Sequence, residues 1–116
     1  MRQHPIRSSV EDHHGVPTLF VDGTPVGALA YISYLDEWAR YEDFAKAGYR
    51  IYSFPAYFGG RAINVHSGLK EFRKGIFDAK EEPDFAVFDR DVGRILEACP
   101  ESLIFPRICM MMLDVM

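Results

Sequence analysis

Cysteine is nearly absent. Cys99 and Cys109 are the only two in 116 residues, with no Cys-x-x-Cys spacing and no Cys/His ligand set around them. That leaves no disulfide framework and no zinc site of the usual spacing. The two thiols read as small buried hydrophobes, or as one disulfide if their side chains face each other. A basic block is missing too: 13 Lys+Arg stand against 17 Asp+Glu, a net charge of −4. Nucleic acid is therefore not an expected partner, and no acidic tail appears. No run of about 18 apolar residues exists, so no membrane span is expected. The opening Met1-Arg-Gln-His-Pro-Ile6 lacks the apolar run of a signal peptide. A soluble, cytoplasmic protein is the default expectation, with secretion of a longer parent left open. Gly59-Gly60-Arg61 is not followed by Gly-Lys-Ser/Thr, and no nucleophile motif supports Ser/His/Asp chemistry. No cofactor and no metal is implied.

What is present is apolar and aromatic: 48% hydrophobic residues and 14% aromatic ones, enough for one real core. Residues 1–15 are polar, end in His13-His14-Gly15, and read as a loose arm. Residues 16–116 read as the folded part. Thr18-Leu-Phe-Val21, Asp22-Gly23 and Thr24-Pro-Val26 form a hairpin signal, because a two-residue turn of this kind needs positive φ at both positions. Ala28-Leu-Ala-Tyr-Ile32 suits a strand buried on both faces. Ser33 then offers a helix cap, with Asp36 and Glu37 in the first turn. Trp38, Tyr41, Phe44 and Ala45 recur at helical spacing, and Gly48 is the expected stop. Tyr49 to Phe54 reads as a second strand ended by Pro55. Residues 55–83 read as a long connection with a short helical turn from Leu69 to Phe77. Phe85, Phe88, Val92, Ile95, Leu96 and Cys99 share one face of a clear helix that Pro100 ends. Residues 102–112 read as a third strand, interrupted at Pro106.

Strands alternating with helices predict βαβ units and three parallel strands, near 28–32, 49–54 and 102–112. Function in such folds sits at the carboxyl ends of the strands. Those ends bring forward Tyr31 to Tyr34, Phe54 to Phe58 and Cys109 to Met112, with Arg61, Asn64 and His66 on the long connection. Rings beside hydrogen-bonding groups suit sugars; they equally suit a loop that packs its aromatics on the rim. Arg107 lies in an otherwise apolar strand and needs a partner, by expectation a carboxylate. It is either structural or the orienter of an acid. Tyr31, Phe54, Tyr57, Arg61 and Arg107 are the candidate substrate-binding residues. Asp78, Glu81, Glu82, Asp84, Asp89 and Asp91 surround the second helix and read as solvated or capping groups. No pair of them meets the spacing that glycoside hydrolysis requires at two strand ends.

Pro17-Thr-Leu-Phe-Val-Asp-Gly-Thr-Pro-Val26 resembles the opening hairpin of β-galactosidase-like glycoside hydrolases. Tyr41-Glu-Asp-Phe-Ala-Lys-Ala-Gly48 is similar to their first barrel helix. Asp84 to Asp89 with Ile95-Leu-Glu-Ala-Cys-Pro100 is similar to the helix before strand three, and Phe105-Pro-Arg107 to that strand. The resemblance runs through residues 16–112. It implies an N-terminal hairpin followed by a partial (β/α)8 barrel, and carbohydrate as the ligand class. In that family the acid/base glutamate follows strand four and the nucleophile strand seven, so no catalytic residue carries over. The family's third strand runs into a Trp-containing segment; here Met110 to Met116 stands instead. The expectation is a fragment of a longer glycosidase barrel, inactive alone. The alternatives are a small standalone non-catalytic α/β binding or interaction module, and an enzyme of another barrel class. Three strands leave open sheet edges, so a homo-oligomer joined through strand three is also expected.

Overall fold

The structure is a computed structural model that describes residues 4–34, 38–59, 75–77 and 82–110. The chain is a mixed α/β fold with an antiparallel hairpin sheet and a set of parallel strands. The antiparallel sheet has the order β1 (Ser8–His13), β2 (Val16–Val21), β3 (Thr24–Val26). Both of its turns use two residues with positive φ: Asp22 at 48° and Gly23 at 80°, His14 at 55° and Gly15 at 84°. This is the backbone whose twist matches the flanking strands. The Asp22-Gly23 hairpin is as expected from the sequence. Strand β1 is not: residues 8–13, polar enough to suggest a loose arm, pair with β2 from Ser8↔Val21 to His13↔Val16. All six are exposed, so no apolar pattern announces the strand.

The parallel strands are β4 (Ala30–Ile32), β5 (Ile51–Ser53), β6 (Pro55–Gly59), β7 (Leu103–Ile104) and β8 (Arg107–Met110). One sheet runs β4-β5-β7 and a second pair runs β6-β8, all parallel. The register offset is the same from Ile51↔Leu103 to Tyr57↔Cys109, so β5–β6 and β7–β8 are two long strands, each with a short break. Amides of Phe105 and Arg107 bridge the break by donating to the Tyr52 and Phe54 carbonyls, at 3.0 and 2.9 Å. Pro55 therefore does not end the second strand, as its sequence position suggested. Pro106 interrupts the third, as expected. Among the described residues, β4 and the β7–β8 strand each pair on one side only.

Helix α1 (Tyr41–Lys46) lies in the first crossover and α2 (Ala86–Ala98) in the second. Helix α1 is shorter than its sequence pattern suggested. Ser33 does not cap it: the Ser33 side chain is buried, 2.8 Å from the Tyr41 hydroxyl. The amide of Arg40 instead donates to the Tyr31 hydroxyl at 2.9 Å, which satisfies one orphan donor of the first turn. Trp38 precedes the helix and is exposed rather than part of its apolar stripe. Gly48, with φ 93°, stops the helix as expected. Helix α2 buries Ile95 and packs Phe88, Val92 and Cys99 on the sheet, while Phe85 and Leu96 stay exposed at the flanks. Tyr41, Tyr52, Phe54, Ala56 and Ile95 form the core. No helix among the described residues is long and apolar enough to cross a membrane. Asp36, Glu37, Asp78, Glu81, the segment from Leu69 to 74 and the last six residues lie outside the described residues.

Candidate functional site

Strand alternation sorts the expected site residues onto two faces. Tyr31 stacks on Phe44 of α1 with centroids 4.0 Å apart, and Phe54 packs on Phe88 of α2 at 5.4 Å. Tyr31, Tyr52 and Ile104 are aligned in register, so this face is the one the helices cover. Tyr31 and Phe54 are thus packing residues of the helix-covered core. Ser53, Pro55 and Tyr57 alternate with them and turn to the opposite face. There they meet their register partners Arg107 and Cys109. Of the candidate residues, Tyr57 and Arg107 come together at the carboxyl ends of the parallel strands. Arg61, Asn64 and His66 lie outside the described residues.

The position of Arg107 follows from a gap in the backbone ladder. The Ser33 amide donates to the Ser53 carbonyl at 3.0 Å. In a parallel pair with that register, the next donor falls on residue 55 and points at the Ser33 carbonyl. Residue 55 is proline and has no N–H. The Arg107 Nη2 group donates to the Ser33 carbonyl instead. The side chain of β8 thereby closes the ladder between β4 and the strand that separates them. This is a structural role, and it uses a backbone carbonyl in place of the expected carboxylate.

Half of the guanidinium is left over. Arg107 Nη1 is buried and has no hydrogen-bond partner, and Arg107 forms no ion pair among the described residues. The ring of Tyr34, a residue 70% exposed, covers the guanidinium with its centroid 4.4 Å from Cζ. Such a contact stabilises by roughly 0.5–1 kcal/mol at an exposed site. It does not replace the hydrogen bonds of a cation withdrawn from water, whose loss costs on the order of several kcal/mol. One position back on the same face, the Ser53 hydroxyl is also buried without a partner among the described residues, on a residue 0% exposed. Burial pushes the Tyr57 phenol above its ordinary pKa; Cys109 and Tyr34 add to the rise and Arg107 opposes it. Tyr57 is therefore a neutral hydroxyl at ordinary pH, able to donate or accept. Cys99 and Cys109 are free, half-buried thiols.

A separate cavity lies on the helix side, between Phe54 to Tyr57, Ile76 and the first turns of α2 at Val87, Phe88 and Asp91. Its volume is about 20 Å³. That holds about one water molecule and is far below a sugar site. Asp91 is buried beside it, contrary to the solvated role its position in the acidic stretch suggested. Asp84 stands just before the N-cap residue Phe85 of α2, and its Oδ1 accepts from the Ala86 amide at 2.9 Å. Sequence reasoning missed Ser53 and gave Tyr34 no role of its own. The alternation Ser53-Pro55-Tyr57 against Arg107 would have found the first, once the two long strands were paired. No family model, curated protein or solved structure matches this chain.

Proposed function

We propose that this chain forms the opening hairpin and first parallel strands of a β-galactosidase-like (β/α)8 glycoside hydrolase, and that its strand ends contact carbohydrate without supplying the catalytic carboxylates. One observation carries the proposal. Tyr34, Tyr57 and Arg107 gather at the carboxyl ends of parallel strands, on the face away from the helices. In barrel enzymes this is where substrates are held. The sequential, adjacent order β4-β5-β7 is also the order a barrel requires. Saturation-transfer NMR with methyl β-galactoside tests the carbohydrate contact. Transfer to the sugar protons is expected; its absence at millimolar sugar would refute it. Hydrolysis of nitrophenyl galactoside by the pure chain, abolished by replacing one of its own carboxylates, would refute the non-catalytic part.

A second reading has its own support. The helix-side cavity admits no sugar, and none of the parallel strands β4 to β8 carries an Asp or Glu. Both features suit a small non-catalytic α/β binding or interaction module. In either case we propose self-association through the one-sided β7–β8 strand.

A further inference from the structure

We infer that the sheet face around Arg107 binds a sugar that carries a carboxylate, a uronic acid, with that carboxylate on the Arg107 guanidinium. The inference rests on the carbohydrate proposal for the sugar and on Arg107 for the charge. Nη2 is engaged by the Ser33 carbonyl, while Nη1 is buried and has no hydrogen-bond partner among the described residues. The Ser53 hydroxyl, on the same face, is unbonded as well. A cation and a hydroxyl that both lack partners among the described residues, on diagonally neighbouring positions of one sheet face, match the carboxylate and a ring hydroxyl of a single ligand. Tyr57 supplies a neutral phenol next to them. Tyr34 lies over the guanidinium and is largely solvent-exposed, so it is the group that turns aside to admit the carboxylate and then offers its ring to the sugar face. A neutral hexose leaves the Nη1 charge unmatched; a uronate does not.

The test compares sodium galacturonate with methyl β-galactoside on the intact chain, followed by backbone amide shifts at Ser33, Ser53, Tyr57 and Arg107. The uronate should bind about tenfold more tightly, the ratio expected for one added charge-assisted hydrogen bond. Arg107→Gln should abolish that difference, and Arg107→Lys should keep part of it. If Arg107→Gln fails to fold, the comparison of the two sugars on the unmodified chain still decides. Equal affinity for the two sugars overturns the carboxylate inference and leaves the carbohydrate proposal standing. Sodium acetate or inorganic phosphate binding as tightly as the uronate overturns the uronic-acid assignment and the carbohydrate proposal together, leaving a bare anion site. No shift with any of these overturns both.

Discussion

Pro55 and Arg107 are register partners across β6 and β8, and the side chain of Arg107 supplies the hydrogen bond that the Pro55 backbone lacks. The consequence is a measurable coupling. Arg107→Ala should cost about 1.5–3 kcal/mol, the range for a hydrogen bond to a charged group. Pro55→Ala restores an amide that can reach the Ser33 carbonyl. In that background the cost of Arg107→Ala should shrink by on the order of 1 kcal/mol. Urea denaturation of the four proteins in the cycle gives the coupling; strict additivity would show that the two residues do not share that carbonyl.

Alkaline stability should be governed in part by Tyr52. Burial pushes its phenol up to about 12, with Cys99 beside it adding to the rise, and its hydroxyl donates to the Tyr49 carbonyl at 2.8 Å. Below the unfolded value of 10.0 the phenol is neutral in both states, and the full contribution is present. Above it the unfolded chain loses its proton first. Stability should therefore fall between pH 10 and about 12, and the Tyr52→Phe variant should show a shallower fall over that window. Denaturation midpoints as a function of pH check this. Parallel curves for the two proteins would contradict it.

The two flanks of α2 should respond unequally. Ile95 is 0% exposed in the core cluster, and Leu96 is 40% exposed. Replacing Ile95 with Ala should cost about 2–5 kcal/mol through lost burial and a cavity. The same change at Leu96 should cost clearly less than that. Chemical denaturation distinguishes them, and equal losses would mean that the helix is rotated from the described position.

Ile108 points to the helix side of β8 at a place no described helix covers, and it is 53% exposed. With the neighbouring Phe105 also exposed, the free edge of β7–β8 offers apolar area for pairing. Sedimentation should find the unmodified chain self-associated and Ile108→Lys shifted to monomer. A monomer at high concentration, unchanged by the substitution, would rule this edge out as an interface.

The local signals were legible in the sequence and the long-range ones were not. Asp22-Gly23 dictates its turn through two adjacent residues, and the apolar face of α2 repeats within one helix. The turn forms as expected; the helix face does so at Phe88, Val92, Ile95 and Cys99, while Phe85 and Leu96 stay exposed. Strand β1 carries six exposed residues, and its pairing depends on the His14-Gly15 turn, whose positive φ values no apolar pattern marked. Strand β6 was hidden by Pro55, which reads as a stop. In a parallel ladder a proline removes only one donor, on one side, and the strand continues through the other. Ser33 looked like a cap because its hydroxyl is followed by acidic residues; the phenol of Tyr41 takes that hydroxyl instead. Tyr31 and Phe54 were drawn into the site by their place near strand ends. Only the pairing register reveals that they face the helices. The partner of Arg107 could not be named because it is a backbone carbonyl exposed by a proline on another strand.

The most direct measurement is a map of backbone amide shifts on titrating the chain with methyl β-galactoside. We expect the shifts to concentrate at Ser33, Tyr34, Ser53, Tyr57, Arg107 and Cys109, on the face away from the helices. Tyr31 and Phe54, packed against α1 and α2, should stay still. Shifts centred on the helix side, or none at all, would contradict the placement of a carbohydrate site at these strand ends.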